Sequence, residues 1–326
     1  MGGPTLDHLP DPPPGKTGWP WTVEGDPISL SPTNREQWPK ISIVTPSYNQ
    51  GQFIEETIRS VLLQRYSTLQ YIVIDGGSTD GTIEILERYD PWIDHWISEP
   101  DDGQVEAINK GLCRSKGSLF NWINSDDVLL PGALHTIARS SERVDAVAGA
   151  CINFSDKHAE TLQQARLNPV SMIHEEEGTI FQQPALWLQP SKIRACGGID
   201  PSMHYAFDWD LALRYFALFP RVHYVQTPLA RFRLHQSSKT SQEPEAFVRE
   251  RRQAVRKLLN DRRFLHLHDE ARNRLRTVRW WDELERIRND ESTSRWGRRL
   301  QLLRKSLNDP SVRWSRMTLG ALRRIS

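Results

Sequence analysis

Short apolar runs alternate with segments of helical periodicity over residues 41–123, and this alternation constrains the fold more than any other feature of the chain. The apolar runs are 41–45, 71–75, 95–98 and 119–123, and the helical segments between them are 53–63, 82–89 and 105–112. This spacing predicts an α/β fold, in which a mostly parallel sheet carries helices on its faces. Such sheets bind ligands at the carboxyl ends of their strands, so the residues just after each apolar run are the candidate site residues.

The rest of the chain divides into three regions of different composition. Residues 1–39 hold nine of the 21 prolines and predict an extended N-terminal segment docked by its tryptophans. The region 145–240 contains a helical pattern from Trp209 to Phe219 and several short strand patterns. The strand patterns are 146–152, 185–188, 222–225 and 229–234. Arginine, leucine and tryptophan at helical spacing then predict a basic helical extension over 241–326.

The charge of the chain is divided unevenly along its length. Its 326 residues are 38% hydrophobic and 25% charged, which excludes a fibre or a mostly disordered protein. The net charge of +1 is a cancellation, because positions 1–250 hold 21 basic and 32 acidic residues while positions 251–326 hold 21 and 9. An asymmetry of this kind indicates that the basic part has a partner or a surface to bind.

The cysteines and the apolar runs indicate the compartment. The three cysteines are isolated from one another, so we expect reduced thiols in a cytoplasmic protein. No uncharged apolar run approaches the ~18 residues that a membrane span needs. The N-terminus lacks a basic segment followed by an apolar core, so we expect no signal peptide.

Polar clusters follow the first three strands. Thr45-Pro-Ser-Tyr-Asn49 offers hydroxyl, phenol and amide groups that can hydrogen-bond a base and its ribose. Asp75-Gly-Gly-Ser-Thr-Asp-Gly81 places a carboxylate at a strand end, followed by glycines that allow close approach of the backbone. We expect Asp75 to contact a ligand and Ser78–Gly81 to form a turn and a helix cap. Glu99-Pro-Asp-Asp-Gly103 is, on its own, typical of an acidic turn.

The fourth cluster, Asn124-Ser-Asp-Asp127, places two adjacent carboxylates directly after an apolar run. The two carboxylates repel each other unless a cation or a capped helix compensates. Mg²⁺ and Mn²⁺ take oxygen ligands and commonly use one or two protein carboxylates together with a substrate diphosphate. The cluster therefore predicts a metal site. The alternative, an acidic loop in which Asp127 caps the next helix, stays open on the residues alone.

Four motifs in this order resemble the inverting family 2 glycosyltransferases with a GT-A fold. They are Thr45–Asn49, Asp75–Gly81, Asn124–Asp127 and Phe207-Asp-Trp-Asp210. The resemblance covers residues 40–240 and implies a Rossmann-like nucleotide-diphospho-sugar transferase domain. It also implies a nucleotide-binding half over 40–130 and an acceptor half over 131–240. The sequence lacks the QxxRW signature of the processive members, which favours transfer of a single sugar.

The resemblance implies roles for residues in the nucleotide-binding half. Thr45, Pro46, Ser47, Tyr48 and Asn49 are expected to line the nucleotide pocket. Asp75 would contact the base, usually uracil, with Asp101 beside it.

Further roles concern the metal. Asp126 would face ribose or metal, and Asp127 would bind the Mn²⁺ or Mg²⁺ that holds the diphosphate. Because asparagine or serine stands at the first position of the metal motif, which carboxylate binds the ion is left open. His235 could complete the metal shell, although a lone histidine is more often structural.

The remaining implied roles concern the acceptor and the phosphates. Asp208 matches the catalytic base, since an acceptor hydroxyl must lose its proton as it attacks the anomeric carbon. The alternative is that Asp208 caps the helix while Asp210 faces solvent. Gln183 lies where relatives build part of the acceptor site, and Arg233 or Lys239 could pair with phosphate.

These roles imply a metal-dependent inverting glycosyltransferase. It would move a sugar from a nucleotide-sugar donor, expected to be a UDP-sugar, to a hydroxyl of a glycan, lipid-linked or other acceptor. A sugar nucleotidyltransferase is a second hypothesis, but Thr45–Asn49 does not resemble the glycine- and arginine-rich phosphate loop of that class. A catalytically inactive sugar-nucleotide-binding scaffold is a third.

The end of the chain has two apolar stripes on basic helices. Positions 295–326 hold nine basic residues and one acidic residue. The stripes are Trp296, Leu300, Leu303 and Leu307, and then Trp314, Met317, Ala321 and Ile325. One interpretation of this pattern is a peripheral contact with an anionic membrane at the inner face. Packing against the acidic catalytic domain, within the chain or across a homodimer, is an equal alternative, and we expect no nucleic acid partner.

Overall fold

A computed structural model of the chain describes residues 3–25, 38–155, 157–175, 182–235, 243–308, 318, 319 and 321. The chain forms two compact units, Met1–Arg251 and Arg252–Ser326. Among the described residues, no helix is both long and apolar enough to cross a membrane.

The first half of the first unit has the alternating order that the sequence predicts. Its elements are β1 (Ile41–Ser47), α1 (Ile54–Leu62), β2 (Leu69–Asp75), α2 (Thr82–Tyr89), β3 (His95–Ser98), α3 (Gln104–Arg114) and β4 (Leu119–Trp122). The four strands pair in the order β3-β2-β1-β4, and every pairing is parallel. The predicted α/β fold is confirmed, and parallel strands in one sheet bring the residues after β1, β2 and β4 to the same edge.

The second half of this unit extends the sheet with strands of mixed direction. Its elements are β5 (Val128–Leu129), α4 (Ala133–Ser140), β6 (Ala146–Phe154), β7 (Ala159–Leu162), α5 (Pro169–His174), β8 (Leu186–Leu188), α6 (Pro190–Ala195), α7 (Phe207–Leu218) and β9 (Val222–Arg233). β8 runs antiparallel to both β4 and β6, while β9 runs parallel to β6 and antiparallel to β5.

β9 is one long strand where the sequence pattern predicts two. Its pairing with β6 shifts register on either side of Ala150, which lies opposite Pro228. Proline has no N–H to donate to a ladder, so it interrupts the regular pattern without ending the strand. The predicted strands 222–225 and 229–234 are therefore the two sides of an irregularity, and the prediction of two separate strands is wrong.

The core lies between the parallel strands and the helices that cover them. β1 is buried along its whole length, as expected of a central strand covered on both faces. Helix α3 packs directly on it, because a Cβ atom at Gly111 would lie only 2.4 Å from Cγ2 of Val44. This contact fixes the distance between α3 and β1.

The N-terminal segment is held by a buried cation of α1. The guanidinium of Arg59 is 1% exposed and donates hydrogen bonds to the backbone carbonyls of Pro10, Pro20 and Trp21 at 2.7–3.1 Å. Nε1 of Trp19 donates to the carbonyl of Leu129 at 2.8 Å. The extended segment is therefore fixed to the first unit by backbone carbonyls that would otherwise lack donors.

The second unit is helical. Helix α8 (Pro244–Leu258) leads into it, and a 3₁₀ segment (Arg262–Leu267), α9 (His268–Arg288) and α10 (Arg295–Asn308) follow. Its small core contains Trp280, Leu284, Ile287 and Leu302. Nε1 of Trp280 donates to the hydroxyl of Thr318 at 3.0 Å.

Candidate active site

The loops after β1, β2 and β4 meet at the carboxyl edge of the sheet. Ser47 and Asp75 are paired at the ends of β1 and β2, and the N–H of Gly76 donates to the carbonyl of Ser47 at 2.8 Å. On the other side of β1, the N–H of Ile123 donates to the carbonyl of Val44 at 2.9 Å. Three of the four predicted motifs therefore lie around one strand end.

The residues of the first motif differ in their access to a ligand. Tyr48 is 62% exposed, and the hydroxyl of Ser47 is buried with no hydrogen-bond partner among the described residues. The side chain of Thr45 is fully buried, with its hydroxyl 3.1 Å from that of Tyr71. Tyr48 and Ser47 can thus face a nucleotide, whereas Thr45 points into the core. Pro46 lies between them as a buried ladder residue opposite Ile74.

Asn49 joins the first motif to the second. Its N–H donates to the hydroxyl of Ser78 at 2.7 Å, and its side-chain oxygen accepts from the N–H of Thr79 at 2.9 Å. Its φ of 52° lies in the left-handed region that asparagine tolerates better than most residues. Asn49 is therefore a residue that holds the two loops together.

Asp75 is completely buried, and the protein supplies its hydrogen bonds. Its carboxylate accepts from the N–H of Gly77 at 3.1 Å, the N–H of Ser78 at 2.8 Å, and the hydroxyls of Ser78 and Ser98 at 2.5 and 2.6 Å. A carboxylate offers about four lone-pair sites, so these donors fill it. The expected contact between Asp75 and a base does not fit this geometry, and Asp75 instead shapes the loop.

Asp101 lies beside the second loop and, unlike Asp75, keeps exposed surface. Its oxygens lie 3.0 and 3.3 Å from the position that a Cβ of Gly76 would occupy, directly over the second loop. The N–H of Gly103 donates to it at 2.9 Å. Burial raises the pKa of Asp101, and the neighbouring Glu106 and Asp75 add to the effect.

Asp126 and His235 are 109 residues apart in the sequence and come together in the fold. Nε2 of His235 lies 2.8 Å from Oδ2 of Asp126, and the two side chains are 18% and 22% exposed. The imidazole also packs on the ring of Phe53, with 5.2 Å between the ring centroids. One carboxylate and one imidazole nitrogen thus share a partly open position, as a two-ligand divalent cation site requires.

Asp127 is fully buried, and both of its oxygens accept hydrogen bonds. Oδ2 accepts from the side-chain amide of Asn124 at 3.0 Å, and Oδ1 accepts from the N–H of Arg233 at 3.2 Å. Burial and the charge of Asp126 raise the pKa of Asp127 well above its usual range. This geometry does not fit Asp127 as a metal ligand, and it indicates Asp126 as the carboxylate available to an ion.

Arg233 already has an anionic partner. Its Nη2 lies 2.9 Å from Oε2 of Glu56, and its Nε donates to the carbonyl of Asp126 at 3.0 Å. The guanidinium lies over the rings of Phe53 and Phe154 at 4.8 and 4.5 Å. Arg233 therefore fixes the end of β9, two residues before His235. Lys239, the other predicted phosphate contact, lies outside the described residues.

Asp208 lies in the first turn of α7 at the wall of a narrow cavity. The cavity is lined by Asn121, Trp122, Gln183, Leu186, Leu188, Asp208, Leu211 and Ala212. Oδ1 of Asp208 accepts from the N–H of Trp209 at 2.7 Å, and burial raises the pKa of Asp208 to about 6. Asp210 is 1% exposed and forms an ion pair with Arg214, so the alternative that places Asp210 in solvent is wrong.

Gln183 shares this cavity and is fixed by its amide nitrogen. Nε2 donates to the side chain of Asn121 at 2.8 Å and to the carbonyl of Trp122 at 2.9 Å. Its Oε1 is buried without a hydrogen-bond partner among the described residues. Gln183 can therefore accept a hydrogen bond from a hydroxyl that enters the cavity beside Asp208.

Several residues that hold the motifs were not predicted from the sequence. The hydroxyl of Thr57 donates to the carbonyls of Ser125 and Asp127 at 2.9 and 2.7 Å. The side chain of Gln104 donates to Asn124 at 2.7 Å. Both residues lie on helices that are distant in sequence from the loop they support. The one sequence signal for such a role is at Thr57, a polar residue on an otherwise apolar helix face.

Comparisons with known proteins agree with the geometry. Residues 42–198 match the sequence profile described as Glycosyl transferase family 2. The chain is 38% identical to an uncharacterized glycosyltransferase of Mycobacterium tuberculosis over 27% of this chain and 34% of the relative. It is 41% identical to the putative teichuronic acid biosynthesis glycosyltransferase TuaG of Bacillus subtilis over 27% of this chain and 36% of that protein. The matches thus span about a third of the length of these relatives.

Solved structures extend the likeness beyond the sequence match. TarS of S. aureus in complex with UDP-GlcNAc superposes with a TM-score of 0.58 at 17% identity, over 72% of this chain and 70% of that chain. The mannosyltransferase PcManGT of Pyrobaculum calidifontis in complex with GDP-Man and Mn²⁺ superposes with a TM-score of 0.53 at 19% identity, over 94% and 89%. At these identities the likeness concerns the fold. With its sheet order, its strand-end motifs and the family match, the chain contains a Glycosyl transferase family 2 domain over residues 42–198 and has the GT-A fold.

Proposed function

We propose that the protein is a metal-dependent inverting glycosyltransferase that moves a sugar from a UDP-sugar to a hydroxyl of a glycan or lipid-linked acceptor. The nucleotide-binding half would occupy residues 40–130 and the acceptor half residues 131–240. One observation carries the proposal, namely that the carboxylate of Asp208 lines a narrow cavity of the acceptor half together with Gln183. The contact between Asp126 and His235 at the carboxyl edge of the sheet supports the proposal.

The donor would bind across the ends of β1 and β2. Tyr48 offers an exposed aromatic ring for stacking on a base, and Ser47 offers a buried hydroxyl without a partner among the described residues. Asp101 would make the contact with the base that the resemblance implies for Asp75, because its carboxylate keeps exposed surface and could accept a hydrogen bond from the imide N–H of uracil. The family 2 structures with bound UDP-GlcNAc and GDP-Man support a nucleotide-sugar donor for this chain.

The metal would be held by Asp126 and His235. A carboxylate oxygen and an imidazole nitrogen at 2.8 Å fit Mn²⁺ or Mg²⁺, which fill their remaining positions with water and substrate phosphate. A divalent cation bound there supplies positive charge against the diphosphate that departs from the sugar. Arg233, whose charge is already balanced by Glu56, would act by fixing the position of His235.

Asp208 would remove the proton of the acceptor hydroxyl. A pKa of about 6 leaves this carboxylate ionised at neutral pH and still basic enough to accept a proton in the transition state. Gln183 would orient the same hydroxyl through its free Oε1. As the oxygen attacks the anomeric carbon, the bond to the diphosphate breaks, and one such displacement inverts the anomeric configuration.

The exposed face of α10 supports a peripheral membrane contact. Trp296, Leu300, Leu303 and Leu307 are 72%, 66%, 40% and 53% exposed, so this predicted stripe is not buried in the second unit. The same helix carries five basic residues. An apolar stripe beside cations is typical of helices that lie in an anionic lipid surface. Of the second predicted stripe, Ala321 packs on the core of the unit, and Trp314, Met317 and Ile325 lie outside the described residues.

The membrane contact can be tested without removing a segment. We expect the protein to sediment with vesicles that contain phosphatidylglycerol, and the double variant Trp296→Glu with Leu300→Glu to lose this binding. Leu265→Glu is the matched control, since Leu265 is 63% exposed but lies outside α10. Binding by the double variant equal to that of the native protein would exclude this face of α10.

The catalytic proposal is tested by release of nucleoside diphosphate from a panel of nucleotide sugars with Mn²⁺ or Mg²⁺. We expect release from a UDP-sugar that requires the metal and is lost in Asp208→Asn. Formation of a sugar nucleotide from a sugar phosphate would instead indicate a nucleotidyltransferase. Tight UDP-sugar binding without turnover, for every acceptor offered, would indicate an inactive scaffold.

A further inference from the structure

A buried carboxylate from α8 holds the backbone that begins α7. Glu250 is 6% exposed, and it accepts hydrogen bonds from three consecutive N–H groups. The N–H of His204 lies 3.0 Å from Oε1, and those of Tyr205 and Ala206 each lie 2.8 Å from Oε2. Three donors on one buried carboxylate make a specific arrangement, because each would lose its partner if the side chain moved.

These three donors lie directly before the turn that carries Asp208. Ala206 is the N-cap residue of α7, and its side chain offers no oxygen to cap the helix. Glu250 does not replace that cap, because it accepts from the N–H of Ala206 and of the two residues before it. Its carboxylate instead places a negative charge at the helix end where the peptide dipoles favour one. Asp208 follows Ala206 by two residues, so the position of its carboxylate depends on this turn.

The neighbour of Glu250 completes the surroundings of Asp208. The guanidinium of Arg251 lies over the ring of Trp209 at 5.7 Å. Burial is the main cause of the raised pKa of Asp208, the charge of Arg251 lowers it, and the charge of Glu250 raises it further. Glu250 and Arg251 lie in the first compact unit, beyond the predicted end of the glycosyltransferase domain at residue 240.

We propose that Glu250 is a positioning residue for the reaction: its carboxylate fixes the turn 204–206 and thereby aims Asp208 at the acceptor hydroxyl. This proposal rests on the proposed role of Asp208 as general base. It adds to the catalytic domain a residue from the segment that the sequence assigns to the C-terminal extension. A displacement of the base by about 1 Å is enough to slow an enzyme by about 100-fold.

The test compares Glu250→Gln with the native enzyme over a range of pH. Glutamine keeps the size of the side chain but replaces one accepting oxygen by an amide that cannot accept. We expect kcat to fall at least about tenfold, the KM for the donor to stay unchanged, and the apparent pKa of the acid limb of kcat to fall. A purely structural role would lower thermal stability and leave the pH profile of the folded enzyme unchanged.

Glu245→Gln is the matched control, because Glu245 is exposed on the same helix. If Glu250→Gln does not fold, Glu250→Asp keeps the charge but shortens the side chain, and we expect it to lower kcat without changing the donor KM. Native kcat and a native pH profile in the folded variant would overturn the proposal. Asp208→Asn separates the role of Asp208 from that of Glu250. If Asp208→Asn keeps activity, Asp208 is not the general base. If Asp208→Asn is inactive while the Glu250 variants have native activity, only the proposed role of Glu250 is wrong.

Discussion

Replacing Asp208 by asparagine is expected to make the protein more stable at neutral pH while it removes transfer. The carboxylate lies half-buried at the wall of a narrow apolar-lined cavity, where its charged form is poorly solvated. Asparagine has nearly the same shape and keeps an oxygen that can accept from the N–H of Trp209. The substitution therefore removes the charge with little change in packing.

The size of the gain follows from the pKa of Asp208, which burial raises from 3.8 to about 6. Each pKa unit corresponds to about 1.4 kcal/mol, so ionised Asp208 lowers the free energy of unfolding by about 3 kcal/mol above pH 6. Below pH 4 the group is protonated in both states, and this cost disappears. The stability gain of Asp208→Asn should therefore grow between pH 4 and pH 6 and level off above.

Urea unfolding of both proteins at pH 4.5, 6 and 8, followed by tryptophan fluorescence, measures this gain. Asp210→Asn is the matched control, since Asp210 lies on the same helix turn but forms a buried ion pair with Arg214. Breaking that pair is expected to destabilise the protein by about 3 kcal/mol. The reasoning is refuted if Asp208→Asn is no more stable than the native protein at pH 8, or if its gain does not shrink toward pH 4.

Three further substitutions test the metal site, a buried ion pair and the core. Asp126→Asn is expected to raise the Mn²⁺ concentration for half-maximal activity about 100-fold, and an unchanged metal titration would contradict the site. Asp145 is held by Lys192 and Arg221 at 2.6 and 3.0 Å. Burial would raise the pKa of Asp145, but these hydrogen bonds outweigh it and lower the pKa to about 2. Asp145→Asn should therefore lower the free energy of unfolding by about 2 kcal/mol at pH 7. Urea titrations at decreasing pH should show that this loss disappears as the pH falls toward 2. Gly111→Val should lower the free energy of unfolding by about 3 kcal/mol, because the added carbons overlap β1. A thermal transition equal to that of the native protein would contradict the close packing of α3 on β1.

The parallel half of the sheet was predictable from the sequence because its strands are buried on both faces. Continuous apolar runs such as 41–45 and 71–75 mark central strands, and the polar residues after them mark the edge where ligands bind. β9 was less predictable, because Pro228 breaks the strand pattern while the neighbouring strand absorbs the irregularity through a register shift.

The direction of individual carboxylates was not predictable from their place at a strand end. Asp75, Asp101, Asp126 and Asp127 all follow apolar runs. The carboxylates of Asp75 and Asp127 are fully buried and accept hydrogen bonds from protein donors, whereas Asp101 and Asp126 keep exposed surface. The difference lies in donors such as Ser98 that approach from another strand. A pattern along the chain contains no information about these contacts.

Residues that contact the site from a segment distant in sequence were the hardest to predict. The family resemblance predicts His235 as a candidate metal ligand, whereas Glu250 lies within a charged helix among many arginines. Its single distinguishing property is burial, which is set by the packing of α8 against the start of α7. The charge pattern along the chain therefore does not distinguish Glu250 from the exposed Glu245 on the same helix.

The anomeric configuration of the product tests the central claim most directly. Proton NMR of the product formed from an α-linked UDP-sugar in the presence of Mn²⁺ reports this configuration through the coupling constant of the anomeric proton. Single displacement assisted by Asp208 predicts a β-linked product. An α-linked product would contradict the account, because retention requires a second displacement that the proposed site does not provide.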